Sequence, residues 1–313
     1  MFYSLIIPVY NRPDEVSDLL QSLVNQSYKD FEVIVVEDGS SVKCEDIVSL
    51  YADKLNVKYL YKENSGPGDS RNYGVKHSKG DYVIVLDSDC VIPERYMENV
   101  HTELTVNPCD VFGGPDAAHP SFSKMQKAVN YAMTSLFTTG GIRGGKRQME
   151  KFHPRSFNMG MKKEVYEQTG GFSKMRYGED IDFSIRLFDA GYKVRLFPKA
   201  YVWHKRRTNM KKFFMQVFHS GCARIALYRL HPSSLKSVHL LPALFVCGLA
   251  GCLLLAFCSL WFLAPVIFYI TVLFADSLFK TRNLHVACLS VVASFVQVIG
   301  YGTGFISSLF KKK

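Results

Sequence analysis

The stretch GDYVIVLDSDC, residues 80–90, runs an apolar series from Tyr82 to Leu86 straight into two acids, Asp87 and Asp89, separated by Ser88. A short, β-branched run with no polar alternation reads as a strand buried on both faces, the kind a parallel sheet covered by helices contains. In such sheets ligands bind at the carboxyl ends of the strands. Two carboxylates at i and i+2, leaving a strand into a turn, can share a divalent cation directly or through water, and Mg²⁺ or Mn²⁺ favours oxygen ligands of this kind. The same pattern also suits an Asx-type turn in which the acids cap local amides. Taken alone, the pair leaves both readings open.

The segments before this strand alternate in the same sense. YSLIIPVY (3–10) reads as a strand, and NRPDEVSDLLQSLVNQSY (11–28) as a helix with Val16, Leu19, Leu20 and Leu23 on one stripe. FEVIVVEDGS (31–40) is a second strand ending in Glu37, Asp38 and Gly39; KCEDIVSLYADK (43–54) predicts a helix and VKYLYKE (57–63) a third strand. Strands alternating with helices predict an α/β fold with a parallel sheet. Between the third and fourth strands, NSGPGDSRNYGVKHSKGDY (64–82) offers a glycine-rich turn, with Arg71 and Asn72 opening the helix SRNYGVKHS (70–78). A helix N-terminus with a guanidinium suits a diphosphate.

The 313 residues are 48% hydrophobic, but unevenly so: charges and apolar residues mix up to about Pro232, whereas from Leu240 to Phe279 the only formal charge is Asp276. That length suits two membrane spans of roughly 20 residues each. A third apolar segment, 286–310, follows KTRNLH and ends in KKK. Three spans would place KKK on the far side, against the positive-inside tendency; either the third segment is partly interfacial, broken at GYGTG (300–304), or so short a tail does not set orientation. The opening MFYSLIIPVYN has no basic n-region, long apolar h-region or cleavage site, so the soluble part is expected in the cytoplasm. Eight scattered cysteines without a CxxC pair agree with a reducing compartment.

The net charge of +10 raises the question of nucleic acid, yet its densest patch, WHKRRTNMKKFF (203–214), precedes the apolar segments rather than an aromatic-studded RNA-binding motif. It reads as a juxtamembrane helix drawn to anionic headgroups by about 1 kcal/mol per basic side chain. Downstream, YGEDIDFSIRLFDAG (177–191) predicts a loop ending at Gly178 and a helix with Ile181, Ile185 and Leu187 or Phe188 inward. Glu179 and Asp180 fall in its first turn, where acids complement the helix dipole or serve as a base. Asp182 reads as solvated or capping.

The ordered set IIPVYNRPDEV, VIVVEDGS, NSGPGDSRNYG, VIVLDSDC and GGFSKMRYGEDIDFSIRLFDAGYKV resembles family 2 glycosyltransferases of the GT-A fold over roughly residues 3–230. The resemblance implies a Rossmann-like nucleotide-sugar-binding domain at 1–230, with two to three transmembrane helices at 238–310. It also implies inverting chemistry and a nucleoside-diphosphate sugar donor, UDP ahead of GDP. By the family pattern Pro8, Tyr10 and Asn11 line the nucleotide pocket and Asp38 bonds the base. Gly66, Arg71 and Asn72 approach ribose and phosphates, Asp87 holds the ribose or a metal-bound water, and Asp89 holds the Mg²⁺ or Mn²⁺. Asp69 departs from relatives that carry small residues there.

Asp180 is then the base that takes the acceptor hydroxyl's proton, with Glu179 orienting it or the acceptor. VFGGPD (111–116) looks like a strand and glycine turn near the sugar. FNMGMKKEVYEQTGGF (157–172) resembles the acceptor-side loop and helix, which makes Asn158 and Met159 acceptor contacts. His204 falls where relatives place a metal or phosphate ligand. MQVFHSGCAR (215–224) carries Gln216 but no following Arg-Trp, so it departs from processive polysaccharide synthases and points to transfer of a single sugar. The expected acceptor is a lipid-linked saccharide in surface glycan synthesis at the plasma (inner) membrane, with no nucleic-acid partner. Two other functions stay open: a polyprenyl-phosphate sugar synthase, which needs no hydroxyl-deprotonating base, and a catalytically silent membrane scaffold.

Overall fold

The structure, a computed structural model, describes residues 1–117, 119, 121–139 and 152–311; Lys312 and Lys313 of the terminal lysine run lie outside the described residues. The chain divides into two compact units, Met1–His119 with Glu150–Lys205, and Pro120–Met149 with Arg206–Lys313.

In chain order the elements begin with β1 (Tyr3–Val9), α1 (Pro13–Val24), β2 (Phe31–Asp38), α2 (Glu45–Ser49), β3 (Val57–Lys62), α3 (Pro67–Lys76) and β4 (Tyr82–Leu86). There follow β5 (Cys90–Val91), α4 (Tyr96–Val106), β6 (Val111–Gly113) and β7 (Asp116–Ala117), then α5 (Lys124–Thr134) and α6 (Leu136–Thr139) of the second unit. The first unit resumes with β8 (Asn158–Lys162), α7 (Lys163–Gln168), α8 (Glu179–Asp189), β9 (Val194–Leu196) and β10 (Val202–His204). The second unit ends with α9 (Met210–Leu230), α10 (Leu241–Leu255), α11 (Ala264–Thr281) and α12 (Leu284–Leu309).

Among the described residues, seven strands form the main sheet in the order β3-β2-β1-β4-β8-β6-β9. The four strands read from the sequence are parallel, with Tyr3 opposite Phe31 and Tyr82. β8 enters antiparallel between β4 and β6, so the sheet is mixed rather than wholly parallel. Alternation sorts the two layers: Leu5, Ile7, Val33, Val35 and Ile84 face α1 and α4, while Ile6, Ile34, Val36, Val83 and Val85 face α3, α7 and α8. The expected stripe of α1 is buried as Val16, Leu19, Leu20 and Leu23.

Two helices depart from expectation. α2 closes after Ser49, well short of Lys54. α8 turns Phe183, Leu187, Asp182 and Ser184 inward and leaves Ile181 and Ile185 half-exposed. Asp182 is therefore not solvated: it pairs with Arg186 at 3.0 Å, and that guanidinium donates to the carbonyls of Thr169 and Gly171.

In the second unit, α5, α9 and α12 share a core of Ala128, Val129, Ala132, Phe213, Val217, Val286 and Ala293. Among the described residues, three helical stretches are long and apolar enough to cross a membrane: Ser237–Leu255, Leu260–Thr281 and Leu284–Leu309. The third runs unbroken through GYGTG, which goes against the first of the two readings of that segment, a break there. Its glycines are contact points: a Cβ on Gly304 would lie 2.1 Å from the Phe218 carbonyl oxygen of α9. Asp276 accepts from Tyr131 Oη at 2.7 Å and pairs with Lys280 at 2.8 Å, so the one charge of that apolar tract is compensated locally.

Candidate active site

The carboxyl ends of β1, β2 and β4 lie side by side in the sheet and carry the expected polar groups, with the acids at β2 and β4. β4 ends at Leu86, and the turn that follows buries Ser88 and Asp89 while leaving Asp87 part-exposed. β10 pairs antiparallel with β5 in register His204 to Cys90, which brings the imidazole beside the acid. His204 Nε2 lies 3.0 Å from Asp89 Oδ1, and its ring stacks on Phe157. Arg12 Nη1 holds the other oxygen, Oδ2, at 2.7 Å and pairs with Glu15 at 2.9 Å. Arg12 escaped the sequence reading: a single arginine after a strand carries no signal until β1 and β4 are known to be neighbours.

Asp89, Cys90 and His204 can bring ligand atoms within 4.8 Å of one another. The 3.0 Å between the Asp89 oxygen and the His204 nitrogen suits a hydrogen bond. It also matches neighbouring positions on an octahedral ion bound at about 2.1 Å. Burial pushes the Cys90 thiol well up, so it stays protonated and donates to the Phe157 carbonyl. The donor set that fits a cation is one carboxylate and one imidazole.

α3 begins at Pro67, with Gly66 as its N-cap, and not at Ser70, so Arg71 and Asn72 sit in its second turn. Gly66 has φ 99°, a left-handed backbone that favours glycine. Its amide and that of Ser65 donate to the carboxylate of Asp38, which also binds Lys62 Nζ at 2.6 Å. Asp38 thus ties the end of β2 to the glycine loop. Asp69 accepts from Ser65 Oγ at 2.5 Å and braces the same loop. Asn11, at φ 54°, donates its amide to Ser40 and accepts from Ser41 and Val42, joining the ends of β1 and β2. Tyr10 is exposed and Pro8 half-buried at the same edge.

Arg71 is almost wholly buried and bridges two acids, with Nη2 at 2.8 Å from Asp87 and Nη1 at 2.8 Å from Glu179. Burial alone would weaken its charge; Asp87 and Glu179 outweigh that and raise its pKa. Its side chain joins the turn after β4 to the first turn of α8. Asn72 has a different place from the one expected: its amide group bonds Phe172 through both N–H and C=O and accepts from Tyr166, which fixes α3 to the loop before α8 and leaves little for a phosphate.

Glu179 and Asp180 follow Gly178, whose φ of 84° turns the chain into α8. Burial raises the Glu179 carboxyl, and Asp180 adds to this against the pull of Arg71. Burial pushes Asp180 the same way, but the charges of Arg155 and Arg71 prevail and hold its carboxyl below the usual range. Arg155 Nε donates to Asp180 Oδ2 at 2.7 Å. The expected acceptor contacts are corrected by burial: Met159 is core, and Asn158 is fully buried, accepting from Tyr96 Oη and donating to the Ala200 carbonyl. Arg155, three residues before Asn158, stands at the site's acidic helix instead.

Residues 4–170 match Glycosyl transferase family 2. An uncharacterized glycosyltransferase of Haemophilus influenzae is 34% identical over 220 residues, 66% of this chain and 70% of that one. Four uncharacterized rickettsial glycosyltransferases and the Bacillus subtilis minor teichoic acid biosynthesis protein GgaB match at 30–46% identity over 86–141 residues, 28–44% of this chain. The matched stretches span only 11–26% of the length of those relatives. The mannosyltransferase PcManGT of Pyrobaculum calidifontis, solved with GDP-Man and Mn²⁺, superimposes with TM-score 0.67 at 16% identity over 99% of this chain and 88% of its own. Staphylococcus aureus TarS with UDP-GlcNAc gives 0.53 at 18%, over 98% and 91%. Those likenesses carry the GT-A fold. With its matched sheet and the acids at the strand ends, the chain belongs to glycosyl transferase family 2.

Proposed function

We propose that this glycosyltransferase is membrane-anchored and transfers one sugar, with inversion, from a nucleoside-diphosphate sugar to a hydroxyl of a lipid-linked glycan at the cytoplasmic face of the plasma membrane. The observation that carries the reading is the buried ion-pair chain Asp87–Arg71–Glu179, which ties the strand-end acids to the helix turn bearing Asp180. One end of that chain suits the donor and the other the acceptor. A neighbour solved with UDP-GlcNAc and another with GDP-Man support a nucleotide sugar as donor.

In this reading the acceptor oxygen forms its bond to the anomeric carbon, and the bond to the diphosphate oxygen breaks with its electron pair leaving on the nucleoside diphosphate. The acceptor proton passes to Asp180, an exchange that contributes about 10²–10⁴-fold to such reactions. Asp89 and His204 would hold a divalent cation, which supplies charge stabilisation for the leaving diphosphate. The mixed oxygen and imidazole set favours Mn²⁺ over Mg²⁺. The apolar helices of the second unit support the anchor.

Calorimetry on the detergent-purified chain tests the donor site with UDP, GDP and CMP, with and without Mn²⁺. Binding of one nucleotide that needs Mn²⁺ and disappears in Asp89→Asn is expected. Asp180→Asn should keep that affinity yet lose roughly 10²–10⁴-fold in turnover. Full turnover by Asp180→Asn, with a polyprenyl phosphate as acceptor, would instead make the protein a polyprenyl-phosphate sugar synthase. A folded protein that binds no nucleotide would defeat the reading.

A further inference from the structure

Arg155 has a place that neither the family match nor the proposed chemistry uses. Its backbone is pinned twice. The tight turn it opens closes with the Asn158 amide donating to the Arg155 carbonyl at 2.9 Å, and the Asn158 side chain is locked in the core by Tyr96 and Ala200. The preceding carbonyl, that of Pro154, accepts from Ser184 Oγ of α8 at 2.8 Å. The turn is therefore fixed to the helix that carries Asp180.

From that turn the guanidinium uses one donor, Nε, on Asp180 Oδ2, while Oδ1 of the same carboxylate accepts from the Ile181 amide. Both oxygens are thereby oriented. A guanidinium has five N–H donors in a rigid fork, and an edge of two Nη groups matches a phosphate in bidentate fashion. Among the described residues no protein acceptor takes the Nη groups of Arg155, and a third of the side chain (33%) is open to solvent, against 10% for Asp180. Glu179 and then Asp116 add longer-range attraction. The result is an arginine with its Nε on the proposed base and its Nη groups uncommitted among the described residues.

We propose that Arg155 is an acceptor-side anion contact: its Nε positions Asp180, and its free Nη edge binds a phosphate carried by the acceptor next to the attacking hydroxyl. This deepens the proposed function and rests on Asp180 being the base. It names the acceptor class as phosphate-bearing, whether the phosphate belongs to a lipid carrier or to a water-soluble polyol phosphate. It also explains why the turn is built so rigidly, since misplacing an orienting group by about 1 Å can cost on the order of 10²-fold in rate. The charged groups facing Asp180 are Arg155 from this turn, Arg71 from α3 and Glu179 from its own helix. Removing Arg155 takes away the larger of the two opposing charges and leaves Arg71 and the Ile181 amide to oppose burial, so the Asp180 carboxyl moves up.

The test uses the detergent-purified full chain with its donor site filled by nucleotide and Mn²⁺, titrated with farnesyl phosphate, glycerol 1-phosphate and the neutral controls farnesol and glycerol. The wild type should bind a phosphate probe, and Arg155→Gln should weaken that binding by about tenfold or more, the scale of one lost charged hydrogen bond. Asp180→Asn, which removes the competing carboxylate, should bind it more tightly. Preference for farnesyl phosphate assigns a lipid carrier; equal binding of glycerol 1-phosphate assigns a soluble one. In slow hydrolysis of the bound nucleotide sugar, the acidic limb of the rate profile should move to higher pH in Arg155→Gln and return in Arg155→Lys. Equal phosphate binding by wild type and Arg155→Gln overturns the proposal, as does a nucleotide-loaded wild type that binds neither phosphate. Failure to bind nucleotide at all would instead sink the donor-site reading beneath it, a result visible before any phosphate is added.

Discussion

Arg71 shows how one buried side chain can set the character of a site. It holds Asp87 and Glu179 at 2.8 Å each, its Nε has no hydrogen-bond partner among the described residues, and its guanidinium lies over the Phe172 ring at 5.1 Å, so its direct ion pairs are with those two acids. Removing one member of a buried ion pair leaves the other charges uncompensated and costs about 3–5 kcal/mol. Because Asp87 is part-exposed, Arg71→Ala should fall near the lower end, about 3 kcal/mol in urea unfolding. Arg71→Lys should recover less than half of that, since an ammonium cannot present two separated N–H groups to two acids in fixed directions. An Arg71→Lys variant as stable as wild type would show that charge alone is required. Acid adds a sign: the Asp180 carboxyl is depressed in the folded state, so the stability it contributes is present above about pH 3.9 and lost as pH falls below it.

At the level of elements, what could be read in advance follows from what periodicity can carry. The stripe of α1 was legible because apolar side chains recur at the helical period, and the four parallel strands because short apolar, β-branched runs alternate with helical segments and end in polar turns. The face of α8 was not, because the Asp182–Arg186 pair buries a carboxylate where an isoleucine would be expected. The insertion of β8 was hidden as well: Met159 and Met161 recur at the strand period and share one core face, but NMGMK is short, has a central glycine and no β-branched residue, and owes its place to pairing with β4 and β6. Of the site, the acids were legible from their spacing, whereas Arg12 and Arg155 act across long sequence separations. GYGTG left a break open as one of two readings for a related reason: glycine lowers helix propensity, but between packed helices it permits backbone contact. A Cβ on Gly221 would stand 2.1 Å from the Tyr301 carbonyl oxygen, and one on Gly304 2.1 Å from that of Phe218. Backbone cannot yield as a side chain does. Gly221→Ala and Gly304→Ala should each lower the unfolding midpoint in detergent, by about 1–3 kcal/mol of overpacking. Gly251→Ala in α10, with nothing within 4 Å of its Cβ, is the control and should leave the midpoint unchanged or raise it.

Across the whole molecule, composition separates a part suited to water from a part that is not. Phe257, Leu260, Trp261, Phe268 and Phe279 are exposed by 71–91%, far more apolar surface than a protein in water presents in one region. The chain has only two tryptophans, Trp203 and Trp261, and they fall on opposite sides of that division. Trp203 stands beside His204 with its ring against His119 and Tyr201, whereas Trp261 is 85% exposed between α10 and α11. Aromatic rings with a polar N–H favour the region near lipid headgroups. If the apolar helices enter a bilayer, Trp261 goes with them and Trp203 stays in water. In vesicles with brominated acyl chains, quenching should remove a substantial share of the emission of the wild type and almost none from Trp261→Phe. Aqueous iodide should do the reverse, reaching the emission left in Trp261→Phe. Emission from Trp261 that iodide quenches and brominated lipid does not would place that turn in water, and the anchor would have to be assigned to α12 alone. Because α12 is enclosed by α5, α9, α10 and α11, with 39% of its most apolar window buried against none for α10, it has the least surface to offer lipid. The membrane contact is therefore expected to fall on α10 and α11, with α12 as the helix around which they are packed.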